Sequence, residues 1–538
     1  MRPITARGFR DIMPDEALER ERITRIVSDG FASHGYLPVE TPLLEEQSSL
    51  AMAGGTAATP FQLFDGDGRL LVVRSDLTMP IARLVATRLA HAEAPIRLRY
   101  AAPVVREQAQ YMARSRQFTQ LGIELIGASG VDADFEVVSM AAEALGAVGV
   151  SDWRIVCGSV RPMNELLAAA GIVDPVREEL LSCVHASDFV DLDAALSNVD
   201  APESLVNAIA TLPRISGGVE ALDAAAAVLS AAGIADGGVS ELRALFDSAQ
   251  KAGFGDNLAV DFSVMNSFGY YTGLVFSAYA KGTSAPLGSG GRYDEAFSQL
   301  GERDLPSAGF ALSLEQIEEA VASDAAPRPL RIAVPKGSLF ADTVAALADA
   351  GLDTEPLHDV GRHLIVHGRG VDYVIVRPTD APAFVASGGA DCGICGRDSL
   401  VEAGLDLVQL IDLGYGACRF VVAEPASAKG AADAAYARRG SIRVSTKYPR
   451  ITQAYYDRIG VQADIVTLHG NIELGPMVGL SDRIVDITAT GTTLRENDLV
   501  IADEVLKCSA RFFASPTSIR CDERIRDLAS RLAASRKA

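Results

Sequence analysis

Apolar residues recur at i, i+4 through Ile23, Val27 and Phe31, with Ile26 on the same face. This spacing predicts an amphipathic helix opened by Pro14 and Asp15 and stopped near Gly35, with a strand over residues 37–41 after it. Between about residues 163 and 251 the chain turns Ala- and Leu-rich, in stretches such as ALDAAAAVLSAAG and ELRALFDSAQKAG, which predicts a mostly helical insertion. Strand character returns over residues 258–276, and AGFALSLEQIEEAV reads as a strand passing into a helix.

The polar, proline-bracketed segment SDAAPRP, residues 323–329, is the best linker in the chain. Beyond it, short apolar strands such as residues 373–376 alternate with helices and Gly-rich turns, as in a mixed or parallel sheet covered on both faces. The expected organisation is therefore a first domain over 1–322, a linker over 323–329 and an α/β domain over 330–538.

Composition sharpens this picture. A chain of 538 residues exceeds what one core usually supports, and 48% hydrophobic with 22% charged residues is ordinary for a folded, water-soluble protein. The 49 Lys and Arg against 70 Asp and Glu give a net charge of −21, which repels polyanions and argues against a nucleic-acid partner. Small anionic ligands would have to be held locally, by backbone N–H groups or a few cations. The seven cysteines form no disulfide framework, and no signal-like or 18-residue apolar run occurs, so a cytoplasmic location without a membrane partner is expected.

The stretch RIVDITATGTTLRENDL, residues 483–499, concentrates candidate chemistry. A strand carrying Asp486 runs into Thr488, Ala489, Thr490, Gly491, Thr492 and Thr493, after which residues 494–500 resume an apolar period of helical character. Threonine hydroxyls and N–H groups at a helix entrance form a phosphate cradle, although a Thr-rich cap turn that binds nothing reads the same in isolation. It is no Walker loop, since no Gly-Lys-Ser/Thr ends it. Lys336 in KGSL and Arg377 in VRPTDAP fall at strand ends, where open α/β sheets bind ligands, and such cations act as anion clamps.

The motifs IAVPKGSL, VRPTDAPAFVASGGADCGICGRDSL, DLGYGACRFVVAEP, STKYPRIT and LHGNIELGPMVGLSDRIVDITATGTTLRENDL occur in order over residues 332–499. Together they resemble the catalytic subunit of ATP phosphoribosyltransferase, the first enzyme of histidine biosynthesis, in its short form. The resemblance implies a two-lobed, periplasmic-binding-protein-like α/β transferase that takes ATP, phosphoribosyl pyrophosphate and Mg²⁺ in the cleft between lobes. It implies that Thr490 to Thr493 cradle the ribose phosphate and that Glu473 and Asp486 hold ribose hydroxyls or the metal's shell, no dedicated ligand set being evident. Lys336 and Arg377 would then face the pyrophosphate or triphosphate. Ser338 stands where the family commonly has arginine, and no general base is nominated.

The first half carries GFRDIMPDE, GYLPVETP, RSDLT, VREQAQYMARSRQFTQLGIE, GYYTG, GGRYD and AGFALSLEQI in order. This is similar to the class II histidyl-tRNA synthetase core, an antiparallel-sheet fold with a helical insertion, over about residues 8–320. Asp76, Gln120 and Glu124 suit an amino group, and Tyr270, Tyr271 and Tyr293 suit an imidazole; the resemblance adds Thr78 and Arg106 to this histidine pocket. Two cations that the synthetase family uses are replaced, by Gln316 in SLEQ and by Asn266 in MNSFGYY, and no anticodon-binding domain follows the core. The combination resembles the synthetase-like regulatory subunit that partners short-form transferases. The resemblance implies L-histidine as an effector, with feedback inhibition, and a homo-oligomer built on dimers. The rivals are a histidine-activating enzyme with an appended domain and a two-lobed binding protein without turnover.

Other signals are weaker. Cys392 and Cys395 form a lone Cys-x-x-Cys, read as buried turn residues. His363 and His367 in HLIVH would sit about 13 Å apart on a strand, too far to share a metal. Cys183 and His185 have no matching carboxylates and read as packing or surface.

Overall fold

The computed structural model describes residues 4–51, 61–107, 115–264, 270–297, 300, 303–322, 328–489 and 491–535. The chain divides into two compact units, Met1–Pro327 with Ser515–Glu523, and Arg328–Ala514 with Arg524–Ala538. The sequence reading gave all of 330–538 to the second domain, whereas nine of those residues, Ser515–Glu523, belong to the first unit. Most of the proposed linker, residues 323–327, lies outside the described residues.

The first unit is built on a nine-stranded, mainly antiparallel sheet. Its strand order is Leu37–Pro38, Ile96–Val105, Gln117–Ile126, Ser307–Ser313, Gly288–Arg292, Leu274–Ala280, Trp153–Ser159, Leu258–Asp261 and Ser216–Gly217. The helices Pro14–Ser33 and Val131–Val148 cover one face; Ile23, Val27 and Phe31, one turn apart, meet Val137, Val138, Ala141 and Leu145 there. Leu121, Ile123 and Leu125 close this core from the sheet side, which turns Gln120, Gly122 and Glu124 to the opposite face by the two-residue period of a strand. Helices between Arg161 and Ala252 form the expected Ala- and Leu-rich layer, packed into the same core. The strand expected at 37–41 is limited to Leu37–Pro38, with the Val39 N–H donating to Arg99 O at 3.0 Å at its end.

The second unit holds two sheets. One runs Ile365–Gly368, Val371–Val376, Leu330–Pro335, Cys392–Gly396, Ala510–Ala514 and Val408–Asp412; the other runs Ala463–Thr467, Ile442–Thr446, Arg483–Thr488, Cys418–Pro425 and Leu499–Cys508. Near-continuous apolar runs such as LRIAVP, all but its Arg331, and VDYVIV are buried, as a sheet covered on both faces requires. The chain crosses between the sheets twice, over residues 413–417 and at Ser509.

Three local readings change. The helix after the Thr-rich loop spans only Thr492–Glu496, because Asp498 turns with φ 53° and Leu499 begins a strand. Cys392 and Cys395 are buried as expected but lie in a strand, not a turn. His363 precedes the strand Ile365–Gly368, and His367 Nδ1 meets Asp372 across it at 2.7 Å. No described helix is long and apolar enough to cross a membrane.

Candidate functional site

Two sites emerge, one in each unit. In the first, the inner face of the sheet presents Gln120 and Glu124, and both are buried. Tyr100 stands opposite Gly122 and Gly309 opposite Glu124 in the ladders. These glycines are required by close approach: a Cβ on Gly122 would lie 2.5 Å from Tyr100 Oη, and one on Gly309 would overlap the Glu124 carboxylate. Gly291, opposite Gly309, leaves room for Tyr271 in the same way, with Cδ1 2.7 Å from a hypothetical Cβ.

Glu124 accepts hydrogen bonds from Thr78 Oγ1 at 2.8 Å, from Tyr100 Oη at 3.2 Å and from Tyr293 Oη. Burial nevertheless pushes its carboxyl up to about 8, against the pull of these three donors, with Asp76 adding to the rise. Asp76 accepts from the Met79 N–H at 3.3 Å, and burial raises it too, opposed by Arg106. Arg106 donates from Nε to Ser75 O at 2.7 Å and lies over the Phe118 ring. Tyr270 packs against Tyr271 at 4.8 Å and edge-on to Tyr293 at 5.8 Å. Gln120 Oε1 is buried without a hydrogen-bond partner among the described residues. Eight sequence candidates, Asp76, Thr78, Arg106, Gln120, Glu124, Tyr270, Tyr271 and Tyr293, thus gather on and beside this one acid-rich face of the sheet. An unpaired acceptor and two destabilised carboxylates suit a cationic, hydrogen-bond-donating ligand.

The replaced motif has a structural use. Glu315 accepts from the Thr119 N–H at 3.0 Å and from Arg20 Nη2 at 2.6 Å, and Arg20 also reaches Glu318 at 3.0 Å. Gln316 keeps a buried Oε1 with no partner among the described residues. Asn266 lies outside the described residues.

In the second unit the parallel register Pro335↔Val376 brings Lys336 and Arg377 to one sheet edge, where Lys336 N–H donates to Val376 O at 2.7 Å. Both side chains are exposed, and neither pairs with a carboxylate among the described residues. Asp486 and Glu473 come within each other's field, together with Lys447: burial pushes Asp486 up to about 6, offset by the Ile487 N–H, while Glu473 raises it and Lys447 lowers it. Next to Asp486, Thr488 Oγ1 accepts from the Gly491 N–H at 2.8 Å, so the loop closes on itself ahead of helix Thr492–Glu496. Gly491 turns there with φ 73°, a conformation that side chains rarely adopt. Ala489 is exposed, and Thr490 lies outside the described residues. Arg495 Nη2 donates to Thr492 Oγ1 at 3.1 Å, adding a cation to the loop's rim.

The sequence reading missed three participants. Tyr100 holds Glu124, and Lys447 faces both Asp486 and Asp398, a carboxyl raised by burial at the start of helix Arg397–Ala403. The last two sit in STKYPR and GRDSL, where a charged residue closely following a buried strand was the available signal.

Two known families match the two parts of the chain. Residues 8–317 match the family Histidyl-tRNA synthetase and residues 377–534 match the family ATP phosphoribosyltransferase. The second part is 48% identical over 193 residues to an ATP phosphoribosyltransferase of Rubrobacter xylanophilus, covering 36% of this chain and 89% of that protein. The first part is 34% identical over 312 residues to an ATP phosphoribosyltransferase regulatory subunit of Moorella thermoacetica, covering 58% of this chain and 80% of that protein. The chain belongs to the ATP phosphoribosyltransferase family. It carries the regulatory and the catalytic parts on one polypeptide, and as a member it is a transferase of histidine biosynthesis with a synthetase-like regulatory domain. The solved structure of an ATP phosphoribosyltransferase regulatory subunit/histidyl-tRNA synthetase from Bacillus halodurans C matches with TM-score 0.55 and 26% identity, over 64% of this chain and 90% of that one.

Proposed function

We propose that the second unit joins the ribose C1 of phosphoribosyl pyrophosphate to N1 of ATP, releasing pyrophosphate, and that the first unit senses L-histidine and restrains that reaction. The observation that carries the catalytic reading is that Asp486, Glu473 and Lys447 act on one another just ahead of the turn in which the Gly491 N–H donates to Thr488 Oγ1. In this displacement the ribose ring gains cationic character while the leaving pyrophosphate gains charge, so the site needs charge placement more than proton transfer. The loop N–H groups and threonine hydroxyls hold the ribose phosphate, Asp486 and Glu473 accept the ribose hydroxyls, and Lys336 and Arg377 take the polyphosphate oxygens. Among the described residues no group of three or more His, Cys, Asp or Glu could hold a metal. Two facing carboxylates do suit Mg²⁺, which is bound through one or two carboxylates plus waters and substrate phosphates, and it would supply positive charge to the leaving pyrophosphate.

In the first unit, Asp76 and Glu124 receive the ammonium of histidine, Gln120 accepts a donor from it, and the tyrosines line the imidazole. Gln316, in place of a guanidinium, supports sensing over aminoacyl activation, because an uncharged amide gives no clamp for a triphosphate. The cell interior suits these substrates, and assembly as a dimer-based homo-oligomer accords with the family. The test is to incubate the full chain with ATP, phosphoribosyl pyrophosphate and Mg²⁺ and to follow phosphoribosyl-ATP with and without histidine. No product at saturating substrates overturns the catalytic reading, and an unchanged rate with bound histidine overturns the regulatory one.

The pocket also sets a pH dependence. With its carboxyl near 8, Glu124 holds a proton at pH 7 in the ligand-free chain. An ammonium seated against it favours the ionised form, so binding expels that proton. Histidine affinity accordingly rises by up to about fivefold between pH 7 and 8, and levels off above. Calorimetric titration in buffers of different ionisation enthalpy reads the released proton. Glu124→Gln should abolish both the release and the pH slope; proton uptake, or none, in the parent chain would remove Glu124 from this role.

A further inference from the structure

Cys418 and Cys508 occupy a special place in the topology of the second unit. Among the described residues the chain passes between the two sheets twice, over residues 413–417 and at Ser509. Cys418 is the first residue after the outward crossing, and Cys508 is the last before the return. The two crossings are tied side by side: Leu413 N–H donates to Ala510 O and Ala510 N–H to Tyr415 O, both at 2.9 Å. Gly414 and Gly416 turn within the first crossing at φ 76° and 65°, and short segments of this kind absorb the dihedral changes of lobe closure.

The two cysteines stand directly opposite each other in the antiparallel ladder. Residues so paired have Cα atoms about 4.5 or 5.5 Å apart, depending on which kind of pair they form, and both spacings lie inside the disulfide range of roughly 4.4–6.8 Å. The thiols are free and act on each other electrostatically. Their mutual interaction lowers the Cys418 thiol's pKa and raises that of Cys508. Cys418 is half-buried and Cys508 buried, so one sulfur is open to a small oxidant and the other waits behind it. The pair is also electrically close to residues proposed for the transferase site, since both sulfurs and the Asp398 and Asp486 carboxylates act on the Tyr448 phenol. Other pairings are less apt: Cys392 and Cys395, three apart on one strand, point to opposite faces.

We propose that Cys418 and Cys508 are an oxidation site for peroxide, and that the disulfide they form staples the two crossings and slows the transferase. The effect on rate rests on the catalytic reading above; the chemistry does not. The Cys418 thiolate attacks hydrogen peroxide, forming an S–O bond as the O–O bond breaks, and the departing hydroxide leaves as water with a proton. The Cys508 sulfur then attacks the sulfenic acid. An S–S bond forms, the S–O bond breaks, and the second hydroxide takes the Cys508 proton. Two thiols and one peroxide become one disulfide and two waters, with two electrons passing from sulfur to oxygen.

The test uses the full chain, reduced with dithiothreitol, desalted and treated with hydrogen peroxide. Peptide mapping by mass spectrometry should find the 418–508 cross-link, two hydrogens lighter, and dithiothreitol should remove it. Amide hydrogen exchange over residues 413–417 should slow in the oxidised chain. Turnover should fall on the order of tenfold to a hundredfold, the cost of a misplacement of about 1 Å at a reacting centre, and return on reduction. Cys418→Ser and Cys508→Ser should keep the parent rate and lose the reversible inhibition. Peroxide that oxidises other cysteines but leaves this pair unlinked overturns the site. A cross-link without slower exchange or turnover overturns the staple. A reduced chain without turnover counts against the catalytic reading alone, because the cross-link and the exchange are read without substrate.

Discussion

Lys336→Ala lowers kcat/KM for phosphoribosyl-ATP formation by about 10²- to 10³-fold, the usual cost of removing one preorganised electrostatic group from developing charge. Arg377→Ala has an effect of the same order, and the double variant loses less than the product of the two, since neighbouring groups on one polyanion are not additive. The reason is positional. Two cations follow adjacent parallel strands at one edge, about 4.8 Å apart in the sheet direction, and neither has a carboxylate partner among the described residues. Holding like charges together without compensation is unfavourable unless an anion completes the set. Because both side chains are exposed, stability should stay within about 0.5 kcal/mol of the parent. Steady-state kinetics with each substrate varied, beside thermal melts, checks this. A tenfold or smaller loss for both single variants would take them out of the pyrophosphate contact.

Asp261→Ala should destabilise the first unit by about 3–5 kcal/mol, since it breaks a buried ion pair from one side and takes this carboxylate from the Arg520 guanidinium. Arg520 Nε donates to Asp261 Oδ2 at 3.2 Å, and its Nη2 donates to Ser263 Oγ at 3.3 Å. Only 6% and 7% of these two side chains remain exposed. Asp261 is further fixed by the Ser263 N–H and Oγ–H, and the Arg520 guanidinium lies over the Tyr279 ring at 5.5 Å. Arg520 sits on the helix Pro516–Cys521, capped by Ser515, and this short helix belongs to the first unit although its sequence follows the strand Ala510–Ala514 of the second. Replacing both partners by leucine should recover most of the loss, as no charge is then left buried alone. Urea unfolding followed by Trp153, the only tryptophan and a member of this unit, reads the effect. A loss below about 1 kcal/mol for Asp261→Ala would show that the pair is solvated.

Much of both sites was legible because it is written in local periods. Gln120 and Glu124 lie an even number of residues apart on an apolar strand, so they had to share a face, and Lys336 and Arg377 had to fall at strand ends. Ordered motifs supplied the ligand class, which no single period contains. What escaped was set by distance in the chain. Tyr100 reaches Glu124 from a neighbouring strand through space that Gly122 leaves open, and Lys447 meets Asp486 across two strands. The apolar period after Thr493 misled because Leu499 and Val500 continue it while Asp498 breaks the helix.

By itself the sequence determined the two-part organisation, the helical layer, the strand faces and the family, because each depends on the order or spacing of nearby residues. Only the tertiary structure decided that Ser515–Glu523 leaves its sequence neighbours for the first unit, and that burial drives Glu124 and Asp486 upward. It alone also set Cys418 against Cys508 at the paired crossings. Desolvation, ion pairing and strand register act between residues tens to hundreds of positions apart, and no local pattern encodes which distant partner arrives.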